Sequence, residues 1–294
     1  MNATWLLPIP VALALAALHA VPAAAVGKSD DLTRSFELAG GAGTSVLVDN
    51  VFGSVEVRAG ETGKVTVAIH RTVTAHNEAE VETGMREVTF EFLQPRPGRL
   101  ELGQDGPFRC RGWQEERTRG RGSCVDWHDP DYEVSWNWTV TVPAGVDLEV
   151  RNVNGGDVAV TGVTGGVEAK NVNGSVRLEG VGGAIDAATV NGKLTAALAT
   201  APSADSSFRT VNGGIDLTLP ESAGAEVGFK TLNGDLYTDF EVSALPQQLE
   251  PTSAAAEHGH HHYRVERASA VRIGSGGPRL DCQTVNGDIV VHAR

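Results

Sequence analysis

The feature that most narrows what this chain can fold into is a short phrase written six times. Asn-Gly pairs, each preceded by Val or Leu, stand at Asn154-Gly155, Asn173-Gly174, Asn191-Gly192, Asn212-Gly213, Asn233-Gly234 and Asn286-Gly287. Successive asparagines lie 19, 18, 21, 21 and 53 residues apart. A period near twenty residues marks a stacked repeat, in which no unit can bury its apolar face without a neighbour.

Aligning the copies on the asparagine exposes columns. Four positions before it stand Val150, Ala169, Ala187, Phe208, Phe229 and Cys282, and six before it Leu148, Val167, Ile185, Ser206, Val227 and Leu280. Three positions after it come Val176, Leu194, Ile215, Leu236 and Ile289, and an extra Gly156 in the first copy moves this place to Val158, as a bulge would. Apolar columns at period two with polar residues between them read as strands. Further glycine turns at Gly165-Gly166, Gly182-Gly183, Gly224 and Gly276-Gly277 fall midway, so each coil is strand, corner, strand, corner. The expected fold is all-β: a β-solenoid or β-helix-like roll with coils of about 18–21 residues. Stacking the coils about 4.8 Å apart gives each backbone N–H and C=O a partner above or below.

Within this reading the Asn-Gly column is structural, because Asn and Gly suit identical tight turns. Two positions earlier, Asn152, Asn171, Thr189, Thr210, Thr231 and Thr284 form a polar stack able to hydrogen-bond from coil to coil. Cys282 occupies an apolar column and reads as a small core hydrophobe, not a reactive thiol.

A seventh copy opens the chain: Asp49-Asn50-Val51-Phe52-Gly53-Ser54-Val55-Glu56-Val57 repeats the phrase with Phe52 in place of the asparagine. The chain then leaves the stack through VTVAIHRTVT, a short helix predicted over 75–87, VTFEFL and GRLELG. It returns through YEVSWNWTVTVP, with Val134, Trp136, Trp138, Val140 and Val142 on one face. Residues 26–294 are thus expected to form a single β-repeat domain: a first rung and excursion over 36–145, coils over 146–294, and insertions at 104–131 and 241–268.

No Asp, Glu, Lys or Arg precedes Lys28, and the apolar run ends at Ala23-Ala24-Ala25, an A-x-A pattern. Residues 1–25 read as a secretory signal peptide, which would export the protein to the periplasm or cell surface. A retained membrane anchor is the alternative; with the leader cleaved, the chain is not an integral membrane protein. The 35 Gly against 8 Phe, 5 Trp and 3 Tyr suit short strands and tight turns, and the formal charge of −13 argues against nucleic acid as a partner.

The unusual residues gather in the insertions. Cys110 and Cys124 bracket a segment in which a disulfide would add about 3 kcal/mol through the unfolded state. Between them Arg111, Arg117, Arg119 and Arg121 outweigh Glu115 and Glu116. With Trp113, Trp127 and the flanking Arg109, this local positive charge forms a candidate patch for an anionic glycan or lipid head group. The preferred reading of the same segment is a cap over one end of the stack, since terminal coils need covering, and the two readings are compatible. His258, His260, His261 and His262 lie in the second insertion. Without ordered ligands at defined spacing they read as adventitious metal affinity, and no metal or cofactor is assigned.

No G-x-S-x-G, H-E-x-x-H or P-loop is present, so no catalytic residue is assigned and a non-enzymatic role is expected. The expected function is an exported structural, adhesion or interaction module of the cell envelope, its partner an envelope protein or anionic glycan. One alternative is a polysaccharide lyase or hydrolase using Asp129, Asp131 and His128. Another is a periplasmic accessory or sensor protein.

The run YEVSWNWTVTVPAGVDLEVRNVNGGDVAV, followed by TVNG-type rungs, resembles the bacterial "putative-adhesin" family of β-strand-repeat proteins, a family of unknown function. The resemblance covers residues 36–292 apart from 104–130 and 241–268. It implies an exported, single-domain, β-helix-like fold on the cell envelope, and it supplies no catalytic residues to carry over.

Overall fold

A computed structural model describes residues 25–38, 43–109, 112–119, 130–245, 250–251, 263–264 and 269–294. The chain opens with β1 (Val26–Glu37), then β2 (Ser45–Asp49) and β3 (Val55–Gly60), the two halves of the first coil. It leaves through β4 (Lys64–Ala75), α1 (Glu78–Glu87), β5 (Thr89–Arg96), β6 (Arg99–Asp105) and α2 (Trp113–Arg119), and returns by β7 (Tyr132–Pro143). Coils follow as strand pairs: β8 (Asp147–Asn152) with β9 (Val158–Thr161), β10 (Val167–Asn173) with β11 (Val176–Val181), and β12 (Ile185–Asn191) with β13 (Leu194–Leu198). Next come β14 (Ser206–Arg209) with β15 (Ile215–Leu219) and β16 (Ala225–Lys230) with β17 (Leu236–Thr238). Short strands β18 (Val242–Ala244), β19 (Glu250–Pro251), β20 (Tyr263–Arg264) and β21 (Ser269–Ile273) lead to the last coil, β22 (Arg279–Gln283) with β23 (Ile289–Ala293).

One half of every coil lies in a sheet ordered β1-β4-β7-β3-β9-β11-β13-β15-β23-β17, the other in a sheet ordered β18-β21-β16-β22-β14-β12-β10-β8-β2-β6-β5. Neither closes on itself, and the core lies between them. The expected columns are the parallel registers themselves: Leu148, Val167 and Ile185 align, as do Val150, Ala169 and Ala187, and Val158, Val176, Leu194 and Ile215. All are buried. Each fully buried Val or Leu contributes about 1.5–3 kcal/mol, so the columns are the main source of cohesion.

The first rung sits where its phrase places it. Val46 and Val48 pair with Leu148 and Val150, Val55 and Val57 with Val158 and Val160, and Phe52 bridges to Asn154. Phe52 meets Phe108 edge to face at 5.1 Å between ring centres. The asparagine thus gives way to an aromatic ring where the insertion covers the corner. The helix predicted over 75–87 is α1, and Asn77 caps it by accepting from the Glu80 N–H at 3.0 Å. It packs on β4 and β7, whose Val73, Trp136, Trp138, Val140 and Val142 are buried while Val134 is partly so.

The stacking order departs from the chain order at one place. β22 lies between β14 and β16, and β23 between β15 and β17, so the last coil written is the penultimate coil stacked. The segment 241–268, expected as a plain loop, begins with a strand: β18 pairs antiparallel with β21, which pairs antiparallel with β16. These two strands extend the sheet beyond β16 before the chain turns back into the stack. The His258–His262 tract lies outside the described residues.

Candidate functional site: the asparagine corner and its valine ridge

At the corner where each coil passes between the sheets, the asparagines form a continuous ladder. Asn173 Nδ2 donates to Asn154 Oδ1 at 2.7 Å, Asn191 to Asn173 at 2.8 Å, Asn212 to Asn191 at 2.8 Å, Asn286 to Asn212 at 2.8 Å and Asn233 to Asn286 at 2.7 Å. The spatial sequence 154, 173, 191, 212, 286, 233 shows the inverted order of the last two coils side chain by side chain.

Behind the ladder, the polar column bonds from coil to coil as its composition suggested. Thr189 Oγ1 donates to Gly174 O at 2.7 Å, Thr210 to Gly192 O at 3.0 Å, Thr284 to Gly213 O at 2.9 Å and Thr231 to Gly287 O at 3.2 Å. Asn171 donates to Gly156 O at 2.9 Å and Asn152 to Gly53 O at 3.0 Å. Each acceptor is a corner glycine one coil away, and that close approach is what fixes the residue type. A Cβ at Gly192 would stand 2.3 Å from Gly174 O, one at Gly213 2.1 Å from Gly192 O, and one at Gly234 2.0 Å from Gly287 O. Five of the six Asn-Gly glycines also take the positive φ that the turn reading invoked, from +84° at Gly155 to +159° at Gly234, Gly192 being the exception.

From the Asn173 copy onward, the residue before each asparagine faces outward. Val172, Val190, Val211 and Val285 are 37–39% exposed, and Leu232 on the outermost coil is 76% exposed. Backbone bonds hold them in line: Asn212 N–H donates to Val190 O at 2.8 Å, Asn286 to Val211 O at 2.9 Å and Asn233 to Val285 O at 2.9 Å. A straight apolar ridge therefore runs beside the amide ladder, one side chain per coil. Its signal was in the sequence, as the invariant Val or Leu before every asparagine, but period-two patterning treats such a residue as a corner filler.

The insertion residues take other places. Trp113, expected as a stacking surface for a ligand, is instead fully buried. Its Nε1 donates to Asp49 Oδ2 at 3.0 Å, and its ring lies so close to β6 that a Cβ at Gly103 would stand 2.1 Å from it. Arg117 Nε donates to the buried Glu101 at 2.8 Å, and Arg99 donates to the same carboxylate. Burial works against the Glu101 charge, but the bonds from Arg117 and Arg99 outweigh it and hold the carboxyl below its usual range. Arg109 Nε donates to Gln104 O at 2.6 Å and its guanidinium faces Asp49 and Glu116. The described part of the insertion is accordingly clamped onto β2 and β6 at one end of the stack, as a cap would be. Cys110, Cys124, Arg111, Arg121 and Trp127 lie outside the described residues, as does the Arg119 side chain. So the Cys110–Cys124 pairing falls there too.

A groove of 530 Å³ crosses the second sheet, with Asp147, Glu149, Glu168, Asp186, Asp205 and Asp281 along it. Each carboxylate already has a partner: Arg151 for Glu149, Lys170 for Glu168, Arg209 for Asp186 and Arg279 for Asp281. Asp147 and Asp205 accept from Gly166 and Arg279 N–H at 3.0 and 2.7 Å. The Arg209–Asp186 pair and the two backbone bonds link neighbouring coils, and the other pairs lie along single strands. Of the residues considered for carbohydrate chemistry, only Asp131 is described, exposed just before β7. Cys282 is a free thiol, fully buried between Phe208 and Phe229 in register, and burial pushes its pKa up.

Residues 145–270, from the turn before β8 to within β21, match the family described as Toastrack DUF4097. The match covers the coils from β8 to β17 and the excursion beyond them; the first coil, β2 with β3, and the last, β22 with β23, lie outside it. The fold is also similar to a "putative cell adhesion protein" from Clostridium sporogenes, at 11% identity and TM-score 0.45, covering 91% of this chain and 100% of that one. It resembles more loosely a "putative adhesin" from Bacteroides fragilis, at 9% identity and TM-score 0.23, covering 90% and 97%. A "putative lipid binding protein" from Parabacteroides distasonis stands at 10% identity and TM-score 0.23 with the same coverage. Likeness at this level carries no functional argument. No curated protein matches the chain. Among the described residues, no helix is long and apolar enough to cross a membrane.

Proposed function

We propose that the Toastrack stack is an exported, non-enzymatic interaction scaffold of the cell envelope, and that it holds a partner protein along its asparagine corner. The observation carrying this reading is the in-line exposure of Val172, Val190, Val211 and Val285 beside a ladder of uncharged amides. An isolated exposed valine calls for no explanation, but a row held at coil spacing by rigid backbone is a preorganised apolar edge. The ridge carries no charge, so it suits an apolar protein surface better than an anionic glycan. Around it, the acidic residues of the neighbouring groove are already paired within the stack, which supports a scaffold over a carboxylate-based enzyme.

Photo-crosslinking tests the assignment. A crosslinker at Val190 or Val211, introduced in cells of the source organism, is expected to trap the same discrete protein. The same group at Arg177, on the outer face of the first sheet, is expected not to. Absence of a common adduct at the two ridge positions, or equal labelling from Arg177, would contradict it.

A further inference from the structure

We infer that β1 is a dimerisation strand: its free edge pairs with the β1 of a second copy, antiparallel about a two-fold axis at Leu32. The four ends of the two large sheets differ in kind. β17 and β18 are three residues each, and β5 carries Pro95 and a break in register between Leu93 and Arg96. Short strands, proline and irregular register are the usual devices that keep a sheet edge from adding another strand. β1 is long, unbroken and free of proline, and the charges it carries, Lys28, Asp30, Asp31, Arg34 and Glu37, restrict the registers in which it can pair. Its 12 residues pair with β4 without interruption from Val26 to Glu37, and no described strand lies on its other side.

The side chains of β1 select the partner and the register. In a two-fold antiparallel pair one residue faces its own copy, and opposed residues point to the same side of the sheet. Centring the axis on Asp31 sets Asp31 against Asp31 and Lys28 against Arg34, while centring on Asp30 sets Asp30 against Asp30. Both oppose like charges. Centring on Thr33 brings no opposite charges together. Centring on Leu32, near the middle of the strand, overlaps Gly27 through Glu37. It sets Leu32 against Leu32, Asp30 against Arg34 on both sides, and Lys28 against Phe36. Leu32 and Phe36, like Val26, are partly buried and packed against the core, while Asp30 and Arg34 are exposed and able to reach across. Asp30 is already oriented by Arg71, whose Nε donates to Oδ1 at 2.8 Å. The Arg34 guanidinium donates to the adjacent Thr33 carbonyl at 2.9 Å, a contact it can exchange for a carboxylate.

The test uses the full chain as recovered from expressing cells. Light scattering is expected to give the mass of a dimer, and Arg34→Asp is expected to raise the dissociation constant at least tenfold. Under mild oxidation Leu32→Cys is expected to form a covalent dimer well above the wild-type blank, which carries the native cysteines. Ser29→Cys alone is expected not to, whereas Ser29→Cys mixed with Ser35→Cys is expected to cross-link. A monomer by light scattering with no Leu32→Cys cross-link overturns the inference, and so does equal cross-linking from Leu32→Cys and Ser29→Cys alone.

Discussion

Asn286 donates its side-chain amide to Asn212 at 2.8 Å across 74 residues of chain. Asn233, only 21 residues from Asn212 in sequence, lies one coil further out and bonds to Asn286 instead. The C-terminal coil is therefore an interior part of the stack.

Truncation after Gly274 exposes this arrangement. In a stack laid down in chain order it would trim a terminal coil. Here it removes the parallel partner of both β16 and β17, so the amides of Ala225–Lys230 and Leu236–Thr238 are expected to lose protection in hydrogen exchange. Protection retained in β16 and β17 would contradict the inverted order.

The ladder itself is a stability element. Asn191→Ala removes one amide bond to each neighbour, from Asn212 and to Asn173, and is expected to cost about 1–2 kcal/mol in denaturant unfolding. Asn191→Asp should cost more at neutral pH, because a carboxylate cannot donate to Asn173. An Asn191→Ala protein as stable as wild type would deny the ladder an energetic role.

The glycine column is expected to respond more sharply. Gly192→Ala places a Cβ 2.3 Å from Gly174 O, and since the obstacle is backbone, the two coils must separate. Their corner bonds, Gly174 N–H to Asn191 O at 3.0 Å and Thr189 Oγ1 to Gly174 O at 2.7 Å, would lengthen with them. A loss of about 2 kcal/mol or more is expected. Gly145→Ala, where a Cβ meets nothing within 4 Å, is the control and is expected to be near neutral.

Much of this was legible beforehand, and for a physical reason. A stacked coil repeats one environment, so the alternation through Val150, Ala169 and Ala187 reports burial at each copy, and Cys282 could be placed by column alone. What escaped were contacts made once. The interval of 53 residues shows an excursion, but spacing does not say on which side of the Asn233 coil the chain returns. β1 offers only Val26, Leu32 and Phe36 among charged residues, because it pairs along one edge and lies half in solvent. Trp113, in the charged run WQEERTR, looks like a surface residue. Its burial depends on Gly103 and Asp49, distant in sequence and unmarked by any repeat.

The clamp at the stack's end carries a pH signature. Glu101 has a lowered pKa in the folded protein, so its contribution is fully present above the unfolded value of 4.5 and is lost as pH falls through the folded one. Glu101→Gln is expected to lower the melting temperature near pH 7 and to reduce its fall on acidification to about pH 3. Trp113→Ala is expected to cost about 3–5 kcal/mol through the cavity it leaves. Identical acid profiles for wild type and Glu101→Gln would remove Glu101 from the clamp.

Deleting residues 173–190 tests the coil register most directly. The excision joins Val172 to Asn191, removes β11 and β12 together, and sets Asn191 where Asn173 stood, one coil from Asn154. The shortened protein is expected to keep its β-sheet circular dichroism and a single cooperative thermal transition. Deleting only residues 173–181 removes one half of a coil and should abolish that transition. Equal damage from the two deletions would contradict the coil register.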